Sequence, residues 1–336
     1  MTVIVAPPDV TRPEWLAWRR SGLGASDIAA VLGISPWSSP WAVWADKVGL
    51  LSLDDDSDDD DREFGRRAEL MISPWFADRT GYHVAATQLW ATSDDIPWML
   101  ATPDGAVTDR DYCTHGGDCP FPSHPRSVHG PWPLRTEDLD LLDLQGLEAK
   151  TEFDSKAWAE IPVHYQAQGQ QQMFTAGWER VWFAVLHGRR FRVYVLDRDQ
   201  ADIDEMIERA TEFWQHHVLG RVPPPIDGSE ATLDALAAMY PHADLASRRE
   251  LDHIQGTIAD LALAKVELAE AKAKARGAEA VIRDAMEDAY EGTIAGQRVL
   301  TLRSQTQRRI CRHCSAVDET APFRVLNLTT TKGSRV

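Results

Sequence analysis

Three consecutive prolines, Pro223, Pro224 and Pro225, divide this chain into two stretches of different pattern. Proline lacks a backbone N–H and fixes φ, so neither a helix interior nor a central strand runs through them. Beyond the prolines, residues 245–290 are rich in Ala, Glu, Lys and Leu. There Leu251, Ile254, Ile258, Leu261 and Leu268 step by three and four, then seven. That spacing predicts one long helix, or a helical hairpin broken near Gly277. The expected layout is an α/β domain over 1–222, a linker over 223–244 and a coiled-coil-like helical extension over 245–292. A small segment over 293–336 follows, with short strands at 297–303 and 323–328.

Within the first stretch the hydrophobic period alternates between helix and strand. Residues 13–33 read as helical, with Ser26-Asp27 as an internal N-cap and Gly33 as the stop. Further helices are expected over 40–48, 64–80, 162–177 and 199–218. Between them, 98–101 and 106–107 flank Pro103-Asp104-Gly105 as strand, turn, strand. Residues 141–151 read as a strand, and 181–186 with 191–196 as a hairpin around His187-Gly188. Residues 109–136, rich in Pro, Gly, His and Cys, read as an inserted loop.

The net charge of −17 argues against a chain that coats nucleic acid with its whole surface. The acid is unevenly spread: seven aspartates fall between Asp54 and Asp61, the mark of a solvated loop. A local basic groove, or a bound cation, still permits DNA binding. No stretch approaches the ~20 apolar residues of a membrane helix. The N-terminus lacks the pattern of a secretory signal, so a cytoplasmic protein is expected.

The chemistry concentrates at Pro103-Asp104-Gly105 and Leu147-Glu148-Ala149-Lys150. On a strand, Glu148 and Lys150 share a face because side chains alternate. If Asp104 lies on the neighbouring strand, two carboxylates and an ammonium converge. Such a set suits a hard cation like Mg²⁺, which takes one or two carboxylates plus waters and substrate phosphate. Taken singly, Glu-x-Lys is usually a surface ion pair and Asp-Gly a turn; their order and surroundings carry the signal.

Four blocks resemble the YqaJ/lambda-exonuclease family of viral recombination nucleases, within the PD-(D/E)xK superfamily. They are Arg19 to Gly33 continuing to Pro40, Gly65 to Glu69 continuing to Gly81, Ala101 to Gly105 with Leu147 to Lys150, and Tyr165 to Gln168 with Gln172-Met173 and Gly177. The resemblance covers residues 12–200. It implies a restriction-endonuclease-like α/β core, a mixed central sheet flanked by helices. It also implies that Asp104, Glu148, the Ala149 carbonyl and Glu69 hold Mg²⁺, for which Mn²⁺ can substitute. Lys150 would be the catalytic lysine and Gln168 would line the site. Ser26 with Arg19 or Arg20 matches a pocket for a DNA 5′-phosphate, and Arg66 is a further DNA-contact candidate.

The implied activity is 5′→3′ exonucleolysis of double-stranded DNA, leaving 3′ single strands for an annealing protein. The implied assembly is a homo-oligomer, a trimer in relatives. A structure-specific or nicking endonuclease of the same fold, and a non-catalytic DNA-binding scaffold, are the alternatives. Cys113, Cys119, Cys311 and Cys314 could bind zinc. Cys-x-His-x₃-Cys in the insert is not an established zinc spacing, so an unmetallated loop is the stronger reading.

Overall fold

The computed structural model describes residues 2–5, 11–52, 60–87, 89–109, 144–153, 156–306, 308–310, 317–319 and 323–328. Asp54–Asp59 of the acidic run, residues 110–136 of the insert, and Cys113, Cys119, Cys311 and Cys314 lie outside them. The chain forms two compact units, residues 1–243 and 244–336.

In chain order the first unit contains β1 (Thr2–Val5), α1 (Arg12–Arg20), β2 (Leu23–Gly24), α2 (Ala25–Val31), α3 (Pro40–Lys47), α4 (Asp60–Thr80), β3 (His83–Thr87), β4 (Leu89–Thr92), β5 (Met99–Ala101) and β6 (Gly105–Thr108). Then come β7 (Gln145–Glu152), α5 (Val163–Ala176), β8 (Arg180–His187), β9 (Arg190–Asp197), α6 (Gln200–Glu212) and α7 (Glu230–Met239). Its main sheet has the order β3-β6-β7-β8-β9 and is mixed: β7 and β8 run parallel, the other pairs antiparallel. A smaller sheet has the order β1-β4-β5-β2, with β2 parallel to β5.

The main sheet is buried on both faces, and alternation along β8 sorts its side chains. Val181, Phe183 and Val185 pack with Tyr165 and Met173 of α5. Ala184 and Leu186 pack with Ala68, Ile72 and Phe76 of α4. Leu147 and Ala149 of β7 join the α4 side. By alternation Gly146, Glu148 and Lys150 face α5. A Cβ on Gly146 would come within 2.8 Å of the Trp178 ring, so only glycine lets the helix end approach here.

Local expectations change at several points. Residues 13–33 form two helices, separated where Leu23 and Gly24 pair with β5 of the smaller sheet. Leu23 N–H donates to the Trp98 carbonyl at 2.7 Å, and a Cβ on Gly22 would meet that oxygen at 2.2 Å. The N-cap of α2 is Gly24, whose N–H is taken by Asp27; Ser26 lies inside the first turn. Pro103-Asp104-Gly105, read as a turn between strands, joins β5 of the smaller sheet to β6 of the main sheet. The expected linker is also partly structured. Within it, α7 buries Ala235 in the core built by α2, α3 and α6, and the Thr232 hydroxyl contacts that of Ser39 at 2.7 Å.

In the second unit α8 (Gln255–Met286) is one continuous helix through Gly277. Strands β10 (Glu291–Ile294) and β11 (Gln297–Gln305) follow, then a two-stranded ribbon of β12 (Arg308–Ile310) and β13 (Val317–Glu319), then β14 (Phe323–Leu328). Strands β10, β11 and β14 form an antiparallel sheet, and Met286, Leu300 and Leu302 supply its small core. Among the described residues, no helix of the chain is long and apolar enough to cross a membrane.

Candidate active site

Strand β7 runs past the end of β6. Their pairing stops at Gly105–Leu147, so the Ala149 N–H needs another acceptor. Asp104, the residue just before β6, supplies it: Ala149 N–H donates to Asp104 Oδ2 at 2.8 Å. The sheet's own unfinished ladder thus fixes Asp104 between Glu148 and Lys150.

Glu148 is 3 % exposed, and three donors meet its carboxylate. Lys150 Nζ donates to Oε1 at 2.7 Å, and Gln168 Nε2 donates to the same oxygen at 2.5 Å. Gln172 Nε2 donates to Oε2 at 2.6 Å. Gln168 and Gln172 lie one turn apart on α5, the spacing that stacks two side chains on one helix face. Among the described residues, donors fill Oε1 with two bonds, give Oε2 one, and leave Asp104 Oδ1 with none. Open lone pairs therefore remain on Glu148 Oε2 and on both oxygens of Asp104.

The electrostatics are short of positive charge. Burial, then the charges of Glu148 and Glu69, push the Asp104 carboxyl well above its usual range. Burial and Glu148 likewise raise Glu69, on α4. Burial opposes the charge on Lys150, but Glu148 and Asp104 outweigh it and hold the ammonium firmly protonated. Its Nζ also lies 4.9 Å from the centre of the Tyr165 ring, and burial is the main cause pushing that phenol up to about 12.

Of the acids named from sequence, Asp104, Glu148 and Glu69 are close enough to perturb one another, and Lys150 and Gln168 join them. Among the described residues, no three His, Cys, Asp or Glu side chains are gathered tightly enough to hold an ion by themselves. Two carboxylates with open lone pairs, in a cluster whose acids outnumber the Lys150 ammonium, nevertheless fit a hard divalent ion that keeps several waters. A cation there would relieve the repulsion that raises Asp104.

A second cluster has the opposite balance. Asp27 is ion-paired with Lys47 at 2.7 Å and Arg19 at 3.6 Å. Burial works to raise its pKa, but those two cations outweigh it and hold it low. Arg19 donates to the Ser26 hydroxyl at 2.7 Å. Arg20 is turned away: its guanidinium binds Asp46 at 2.6 Å and the Leu51 carbonyl at 3.0 Å. Arg66 pairs with Glu63 at 2.6 Å on the surface of α4. Of the three arginines named from sequence, Arg19 alone touches Ser26.

Adjacent glutamines on α5 connect the two clusters. Gln171 Nε2 donates to the carbonyls of Leu23 and Leu100 at 2.8 and 2.9 Å, stitching β2 and β5 to the helix. Its neighbour Gln172 holds Glu148. Sequence reading gave no active-site role to Gln171, Gln172 or Lys47, and read Asp27 only as part of an N-cap. The usable signal was the run Gln170-Gln171-Gln172 in a helix packed on a sheet, because buried amides require partners.

The family model of the YqaJ-like viral recombinase domain matches residues 14–179. The uncharacterized protein YqaJ of Bacillus subtilis (strain 168) is 27 % identical over 302 residues, covering 87 % of this chain and 83 % of that protein. Among solved structures, the alkaline exonuclease LHK-Exo from Laribacter hongkongensis aligns with a TM-score of 0.42 at 17 % identity, over 61 % of this chain and 91 % of that one. SSO0001 aligns with a TM-score of 0.36 at 10 % identity, over 68 % and 96 %.

Proposed function

The chain belongs to the YqaJ-like viral recombinase family, and from that premise we propose that it is a metal-dependent DNA nuclease. The observation that carries the reading is the set of Asp104, Glu148 and Lys150, gathered where β7 outruns β6. Asp104, Glu148 and the Ala149 carbonyl would hold the ion, Mg²⁺ or Mn²⁺, with Glu69 completing the site from the side. A bound divalent ion supplies neutralisation of phosphate charge and a more acidic water.

The chain's own groups do the rest. Glu148 and Asp104 favour the ammonium form of Lys150, so its role here is to donate to the phosphate and neutralise charge as it develops. Gln168 and Gln172 hold the Glu148 carboxylate in one orientation, so the site needs little rearrangement during reaction. Water attacks phosphorus in line and gives up a proton, the P–O3′ bond breaks, and the 3′-oxygen takes up a proton, so a 5′-phosphate and a 3′-hydroxyl result.

Polarity comes from the second cluster. Arg19 and Ser26 offer a guanidinium and a hydroxyl to a terminal phosphate, and Asp27 and Lys47 brace the arginine. The Gln171–Gln172 pair keeps this pocket at a fixed separation from the acids. A terminal 5′-phosphate held there feeds the same strand to Glu148 and Lys150, giving 5′→3′ digestion of duplex DNA. The 3′ strands left behind suit a single-strand annealing partner in the cytoplasm of a bacterial host. A closed trimer would keep the enzyme on its track.

The test compares linear duplex carrying a 5′-phosphate, linear duplex carrying a 5′-hydroxyl, and closed circular duplex. The expected result is release of nucleotides from phosphorylated 5′ ends, slower release from hydroxyl ends, and an intact circle. Digestion of the circle at a comparable rate would make the enzyme an endonuclease instead.

A further inference from the structure

Five tryptophans crowd the N-terminal segment, and four have an evident structural use. Trp41 and Trp44 are buried in the core. Trp18 stacks on Trp90 with ring centres 4.5 Å apart. Trp15 lies against the guanidinium groups of Arg12 and Arg19.

Trp37 differs, because it is 64 % exposed on a segment whose backbone is firmly held. The Ser35 hydroxyl accepts from the N–H groups of Trp37 and Ser38. The N–H groups of Ile34 and Ser35 both close onto the Ala29 carbonyl. Ser39 caps α3 and bonds Thr232. A large ring fixed in water by its backbone is a prepared platform.

Its location says for what. The Trp37 ring meets His164 nearly edge-on at 4.7 Å and Tyr165 at 5.7 Å. On the Tyr165 ring sits the Lys150 ammonium. Two ring contacts therefore lead from open solvent to the group that must meet the phosphate.

We propose that Trp37 forms a nucleobase-stacking subsite, engaging a base of the cut strand within one or two nucleotides of the scissile phosphate. The proposal rests on the nuclease reading above. A nucleobase is flat and has a π face whatever its identity, so a lone aromatic platform engages it without reading sequence. A protein partner would also seek an exposed tryptophan. The ring's continuity with Tyr165 and Lys150 favours the strand that must enter this site.

The experiment measures affinity of the full chain for a labelled, 5′-phosphorylated duplex in Ca²⁺, which permits binding without turnover. The first three nucleotides of the 5′ strand are either normal or abasic. Wild type should bind the abasic duplex about tenfold more weakly. Trp37→Ala should lose the same factor on the normal duplex and nothing further on the abasic one. Trp37→Phe should keep most of the affinity. In Mg²⁺, Trp37→Ala should raise KM and leave kcat within about threefold.

Equal binding of both duplexes by wild type, or an alanine penalty that is the same on both, overturns the subsite. An alanine variant that binds DNA like wild type also overturns it. Wild type that neither binds nor cuts DNA sinks the nuclease reading and this proposal together. A normal wild type beside an unaffected variant sinks the subsite alone.

Discussion

Two regions of the first unit each hold a half-buried aspartate, and the two acids are driven in opposite directions. Around Asp104 lie Glu148 and Glu69 with Lys150 as the main cation, and its pKa is pushed up. Around Asp27 lie Lys47 and Arg19, and its pKa is held down. Burial acts the same way on both acids, so the neighbouring charges decide the sign. Under the proposed function the cluster short of positive charge takes the cation, and Arg19 with Ser26, beside the Lys47 ammonium that Asp27 and Asp46 share, takes the terminal phosphate.

The sharpest way to break this contrast is to remove carboxylates from the first region. Glu148→Ala should slow DNA cleavage on the order of a thousandfold or more. Asp104→Asn should be equally inactive, yet in chelator it should unfold at a higher temperature than wild type. That follows from sign. An acid whose folded pKa is raised favours the folded state at low pH, and that advantage is lost as pH rises through the folded value. At neutral pH, without metal, Asp104 is therefore a burden that asparagine relieves. Wild type should gain thermal stability from Mg²⁺ by mass action, and Asp104→Asn should not. A variant less stable than wild type in chelator would mean the bond to Ala149 outweighs the repulsion.

A smaller effect is expected at the glutamines. Gln172→Leu leaves Glu148 Oε2 without its donor. Groups that orient metal ligands typically contribute 10- to 100-fold. The Mg²⁺ needed for half-maximal rate should rise by about tenfold, and direct calorimetric titration should show the same shift without DNA.

In the second region the arginines separate by partner. Arg19→Ala should reduce the rate preference for 5′-phosphorylated over 5′-hydroxyl ends by about tenfold. Arg20→Ala should leave that ratio within about twofold and lower the unfolding temperature, because Arg20 holds Asp46 and the Leu51 carbonyl. The reverse pattern would exchange their roles.

The smallest effect is pH-dependent. Asp27 has a depressed folded pKa, so its stabilising contribution is complete above its unfolded value, near 4, and lost as pH falls through the folded value. Acid unfolding should therefore flatten in Asp27→Asn below about pH 4. An identical acid limb in both proteins would show that the ion pairs with Lys47 and Arg19 do not stabilise the fold.

Much of this was legible from residue order. Alternation placed Glu148 and Lys150 on one face, and the helical period located α4 and α5. The continuous α8 was one of two readings the heptad spacing allowed. Other features depend on which strands pair. Nothing local says that Pro103-Asp104-Gly105 bridges two sheets, or that β6 stops short and leaves Ala149 seeking an acceptor. Gly22 looked like a residue within a helix because its constraint, the Trp98 carbonyl, lies far along the chain. Arg19 and Arg20 are neighbours of identical chemistry, and tertiary packing alone sends one to Ser26 and the other to Asp46.

The most direct measurement is the rate of nucleotide release from an end-labelled, 5′-phosphorylated duplex as Mg²⁺ is raised from chelator to millimolar levels, for wild type and Glu148→Ala. The account predicts a saturating, ion-dependent rate in wild type and no ion response in the variant. Cleavage that persists in chelator, or a variant that cuts as wild type does, would contradict it.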